Sequence, residues 1–217
     1  MPFLDHASEL IAAYNRSPKN QAYNKIAAEV YKARSTVGDP LSPQFEVYIL
    51  KGLIGFDMAR TMKGGSAAFA TRLHNCLDAV RNNTALDQLR NCCLSSVDLV
   101  AIRPVIIFAY DRLALAGTLH PEEQSHVEAT KVLHWLFPKL FLMVDSNVAK
   151  AFRKHFGVKF RKSTQPGYSS DRYCTCLQEA QKEVHSFGVE RFRQLEPTTP
   201  EARIFDKIAF IVGQQTG

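Results

Sequence analysis

Apolar residues recur three and four positions apart along almost the whole chain, and no run alternates apolar and polar positions for more than a few residues. The pattern predicts an all-α protein, a compact bundle of roughly ten helices. Leu4, Leu10, Ile11 and Tyr14 mark a first helix, and Tyr23, Ile26, Ala27, Val30 and Tyr31 a second, divided from it at Ser17-Pro18. A longer apolar helix is expected over 44–61, where Gly52 and Gly55 would let a neighbouring helix come close. An amphipathic helix follows over 66–81, with Phe69, Leu73, Cys76, Leu77 and Val80 inward. Asn82-Asn83-Thr84 caps a short helix running to 94, and Ser95-Ser96-Val97-Asp98 opens another that Pro104 kinks or restarts. Residues 105–116 are so apolar that they are expected to form the central buried helix. Two further helices are expected over 171–187, stopped by Gly188, and over 200–213.

Between these lies the most informative stretch, residues 122–157. Ser125 followed by Glu128 has the form of a capping box, and the helix it opens carries Lys131 and stops at Pro138. A short apolar link, 140–144, leads to Asp145, which has the form of an N-cap for a second helix closed by Gly157. In the first of these helices Val127, Lys131 and Trp135 share a face, with His134 beside them, while Ala129, Leu133 and Leu136 are expected to face the core. An amine held against apolar neighbours is easier to deprotonate, which a nucleophilic lysine requires. A capping aspartate and a lysine whose ammonium reaches water explain the same two residues without chemistry.

Composition narrows the class. The 217 residues are 46% hydrophobic and 22% charged, ordinary for a folded domain, and a net charge of +6 favours a polyanionic partner. The five cysteines include no C-x-x-C pair, and Cys92, Cys93, Cys174 and Cys176 fit no standard zinc spacing. Met1 to His6 lack a basic region followed by a long apolar one, and the longest apolar run, 104–110, is too short to span a bilayer, so a cytoplasmic protein without membrane partners is expected.

Thr130-Lys131, continuing through an apolar helix to Met143-Val144-Asp145-Ser146-Asn147-Val148, resembles the catalytic segment of the helix-hairpin-helix DNA glycosylase superfamily, including its archaeal 8-oxoguanine branch. The likeness covers residues 127–155. It implies a two-lobed helical architecture in a single domain with a cleft near 125–165, Lys131 as amine nucleophile and Asp145 as essential aspartate. It further implies cleavage of the N-glycosidic bond of a modified base in double-stranded DNA, with an abasic-site lyase activity, in repair or in defence against phage with modified DNA. No cofactor is called for and a monomer is expected. Residues 125–129 hold no glycine hairpin and the Lys-to-Asp interval is several residues short of the family's, departures that a monofunctional enzyme using Asp145 alone would tolerate.

The surrounding residues extend this expectation. Trp135, His134 and Tyr168 are candidates to line a pocket for an extruded base. Lys150, Arg153, Lys154, Lys159, Arg161 and Lys162 form an unbroken cationic run suited to phosphates, with Phe152, Phe156 and Phe160 at core spacing between them. Lys63, Gly64 and Gly65 precede a helix and suit either a phosphate loop or a plain connector needing positive φ. Asp206 beside Lys207 reads as a surface pair. Two other functions fit the pattern: a non-catalytic helical nucleic-acid-binding protein, and a metal-dependent hydrolase built on His120, His126 and Asp145.

Overall fold

A computed structural model describes residues 3–56, 65–116, 126–160 and 168–216. Every regular element among them is helical: α1 (Ala7–Arg16), α2 (Pro18–Val37), α3 (Pro43–Gly55), α4 (Gly65–Arg81), a 3-10 helix (Thr84–Leu89), α5 (Arg103–Leu113), α6 (His126–Leu136), α7 (Ser146–Phe156), α8 (Tyr168–Phe187), α9 (Val189–Arg193) and α10 (Glu201–Gln214). Among the described residues no helix is long and apolar enough to cross a membrane.

Proline and glycine set most of the boundaries. Pro18, Pro43 and Pro104 occupy the first turns of α2, α3 and α5, where the missing N–H costs nothing, so Pro104 starts a helix rather than kinking one. Gly157 ends α7 in the left-handed region at φ 68°. Residues 95–101 form turns instead of a helix, and the segment after Asn83 is 3-10 rather than α. Helix α8 begins at Tyr168, three residues before the expected start, and α9 has no counterpart in the hydrophobic pattern.

The centre of the bundle is not α5, whose residues 103–105, 107, 108, 111 and 112 retain solvent contact, but α6. From Glu128 to Leu136 every residue of α6 is buried, so the expected division into an apolar and a polar face fails. The reason is that its polar side chains are used internally. Thr130 Oγ1 donates to Val127 O and accepts from Val144 N, and His134 is bonded on both ring nitrogens. Gly52 of α3 lies against Trp135 of α6, where a Cβ would meet the indole at 3.0 Å, so the predicted close approach is present.

Helix α10 is equally enclosed, with all but a few of its residues buried despite four ionisable side chains. Each of the four ties a different part of the chain to it. Glu201 accepts from Ser95 N at 3.0 Å and Arg193 Nε at 2.7 Å, Arg203 donates to Tyr14 Oη, Asp206 accepts from Met143 N, and Lys207 donates to both oxygens of Glu196 at 2.8 and 2.6 Å. Asp206 and Lys207 are thus a buried pair of separate anchors, not the surface pair their adjacency suggests. An ionisable group so placed must be bonded, because burial without a partner costs several kcal/mol.

Candidate functional site

The link 140–144 between α6 and α7 is buried and has no regular structure, so its backbone groups need partners from elsewhere. Side chains supply them in turn. His134 Nδ1 donates to Phe141 O at 2.6 Å, Tyr173 Oη to Leu142 O at 2.8 Å, Met143 N donates to Asp206, and Val144 N to Thr130 Oγ1 at 3.0 Å. Four side chains from three helices therefore fix the path that delivers Asp145 relative to Lys131.

Asp145 is the N-cap of α7. Its Oδ1 accepts from Asn147 N and Val148 N, both at 2.9 Å, while the residue keeps partial exposure. Lys131, one helix earlier, is 7% exposed and holds its Nζ 5.6 Å from the centre of the Phe56 ring. Both residues line one cavity of about 310 Å³. Tyr14, Tyr23, Phe56 and Phe210 give it aromatic walls, and Lys19, Arg203 and Asp206 add two cations and a second carboxyl. Its size lies at the lower end of small-molecule sites.

The expected base pocket is built differently. His134 and Trp135 are both 0% exposed and stand in the core rather than on the cavity wall. Because Nδ1 of His134 donates to the Phe141 carbonyl, its Nε2 must be the acceptor, and it receives the Tyr31 hydroxyl proton at 2.6 Å. Burial pushes this imidazole down to about 3, so it stays neutral and structural. Trp135 packs edge-on against Phe56, 5.2 Å between centroids, and so supports the cavity from behind. The Tyr168 side chain lies outside the described residues.

Of the cationic run, Lys150, Arg153, Lys154 and Lys159 are exposed, but none lines the cavity with Asp145; Lys154 instead borders a separate depression with Phe3 and His6. Arg161 and Lys162, like Lys63 and Gly64, lie outside the described residues, and Gly65 begins α4 at φ 86°. The three phenylalanines pack inward as their spacing predicts, Phe152 fully and Phe156 and Phe160 in part. For the hydrolase alternative, His120 is outside the described residues and His126 stacks on Phe160 at 5.2 Å; among the described residues no group of three metal-binding side chains forms. The cysteines among them are all unpaired thiols.

Arg203 and Asp206 are site residues that hydrophobic spacing does not single out. Their only advance signal is four ionisable residues within the apolar pattern of 200–213. Asp206 accepts from Met143 N through both oxygens, at 3.0 and 3.1 Å. Burial pushes its carboxyl well above the usual carboxylate range and the Asp145 charge adds to this, while the Arg203 guanidinium and the Met143 N–H offset only part.

That shift has a sign in stability. A carboxyl raised in the folded state stabilises fully below the ordinary carboxylate value of about 4, and the contribution is lost as pH rises toward the native value. His134 works in the other direction, removing up to about 1.4 kcal/mol per pH unit as pH falls below about 6.5. Asp206→Asn keeps the shape without the titration. Urea unfolding of both proteins from pH 4 to 8 is expected to show the native chain losing stability relative to the variant as pH rises. Parallel curves would mean that Asp206 ionises like an exposed carboxyl.

No family model, curated protein or solved structure matches this chain, so the functional reading rests on the residues of the cavity themselves.

Proposed function

We propose that the chain is a DNA glycosylase that takes an extruded modified base into the cavity lined by Lys131 and Asp145 and cleaves its N-glycosidic bond. The observation that carries the reading is the meeting, in one aromatic-walled cavity of about 310 Å³, of an amine and a carboxylate delivered by successive helices. Breaking the bond sends its electron pair to the base and leaves positive charge at the sugar C1′. The Asp145 carboxylate, pinned by two backbone N–H groups on one oxygen, is a fixed negative charge for that centre. The Lys131 amine, in its neutral form, supplies the electron pair for the new bond to C1′ and loses a proton as the base leaves with one. Opening of the sugar ring then gives a Schiff base, from which elimination breaks the strand. Water attacking in place of the amine would give base release alone.

The extrusion step fits the aromatic character of the walls, which Tyr14, Tyr23, Phe56 and Phe210 supply, Tyr23 and Phe56 already stacked on each other at 4.7 Å between centroids. The second reading, a non-catalytic nucleic-acid-binding protein, draws on the exposed cations of α7 and on Asp145 acting as a cap. Two measurements on a panel of duplexes with modified bases separate them. Borohydride is expected to trap the native protein covalently on its substrate duplex and to trap no Lys131→Ala protein. Abasic sites, revealed by alkaline strand scission, are expected with the native chain. Binding without either product would leave only the second reading.

A further inference from the structure

Arg203 is the least explained member of the cavity. It is 5% exposed and lines both the 310 Å³ cavity and a second, polar one of about 230 Å³ that includes Asn24, Thr199 and Lys207. Its guanidinium lies over two rings, 5.1 Å from the centroid of Tyr14 and 5.7 Å from that of Phe56. Nη2 donates to Tyr14 Oη and reaches Asn24 Oδ1 at 3.5 Å. Nε is itself buried and has no hydrogen-bond partner among the described residues. A guanidinium offers donors only and stays charged, so this wall of the cavity has hydrogen-bonding capacity to give and none to receive.

We propose that Arg203 selects occupants that present an acceptor oxygen, so that a nucleobase with an exocyclic carbonyl is held in preference to its amino counterpart. The inference rests on the glycosylase reading for the identity of the occupant. Three of the groups on the other walls point the same way. Lys131 is a second donor-only group, and Asp145 Oδ1 is already occupied by two N–H groups. Both oxygens of Asp206 already accept from Met143 N. An amino group turned toward Arg203 would set donor against donor and leave both desolvated and unpaired, whereas a carbonyl oxygen would accept a charge-assisted hydrogen bond. Discrimination from one such bond is about tenfold or more.

Inosine and adenosine are suitable probes, because their purines differ at C6 in carbonyl against amine. Calorimetric titration of the native protein is expected to show inosine binding at least about tenfold more tightly. Arg203→Met, which removes every donor, is expected to bring the two within about twofold. Tyr14→Phe, which removes a partner of Nη2 but leaves the guanidinium, is expected to keep the preference. Arg203→Lys retains the charge without the planar fork and is expected to lose part of it, so the test stands even if the methionine variant fails to fold by circular dichroism. Equal or tighter adenosine binding, no binding of either nucleoside, or an undiminished preference in the folded Arg203 variants would overturn the proposal. Base release is scored separately: inosine preference without any abasic product ends the glycosylase reading and leaves the role of Arg203, and the converse ends only the latter.

Discussion

Gly213→Ala is expected to be the most damaging single-methyl change in the protein. A Cβ at that position would lie 1.9 Å from Asn147 O and 2.5 Å from Asn147 C, backbone atoms that cannot swing aside. Helices α7 and α10 pack together more extensively than any other pair, so separating them opens the broadest interface in the bundle. Overpacking that a side chain can relieve costs about 1–3 kcal/mol, and a clash between two backbones belongs at or beyond the upper end of that range. Asn147 is also one of the two residues whose N–H groups Asp145 holds, so displacing it moves the carboxylate of the cavity. Urea unfolding should show a large fall in the midpoint. The control is Gly157→Ala, which meets open space at φ 68° and should cost only the left-handed strain of about 1–2 kcal/mol. Equal losses in the two variants would mean that α7 slides along α10 without penalty.

Asp145→Asn is expected to lower base release by about 10²–10⁴-fold while leaving the fold and DNA affinity in place. Asparagine caps a helix as well as aspartate does, so its side-chain oxygen can keep both bonds to Asn147 N and Val148 N. What disappears is the charge, the feature the proposed mechanism uses. Asp145→Ala would be the poorer experiment, because losing the cap alone costs about 1 kcal/mol and confounds the two roles. Abasic-site yield and gel-shift affinity on the same modified duplex, measured side by side, decide the matter. Undiminished base release would end the role assigned to Asp145.

The helical class, the cap at Asp145 and the stop at Gly157 were legible because each depends on neighbours within one turn. The same holds for Pro18, Pro43 and Asn83, whose structural effects follow from local chemistry. That Lys131 and Asp145 share a cavity was also within reach, since only a short buried link separates their helices. Burial of polar residues was not. Thr130, Lys131 and His134 give α6 the look of a two-faced helix, and nothing nearby reveals that Val144, Phe56, Phe141 and Tyr31 receive or cover them. Asp206 was misread for the same reason: its bond to Met143 spans 63 residues, and Lys207 ignores it for Glu196. His134 and Trp135 share the Lys131 side of α6, but Tyr31, Gly52 and Phe56 close over them, so they stand in the core and brace the cavity from behind.

The bond from Arg203 to Tyr14 joins positions 189 residues apart. On the ribosome, therefore, α1 emerges long before the helix that completes its environment, and Tyr14 waits with one flank uncovered while the intervening helices are made. Assembly of the cavity must therefore wait until α10 has been made. A nascent chain arrested before α10 should have helices but no closed chamber.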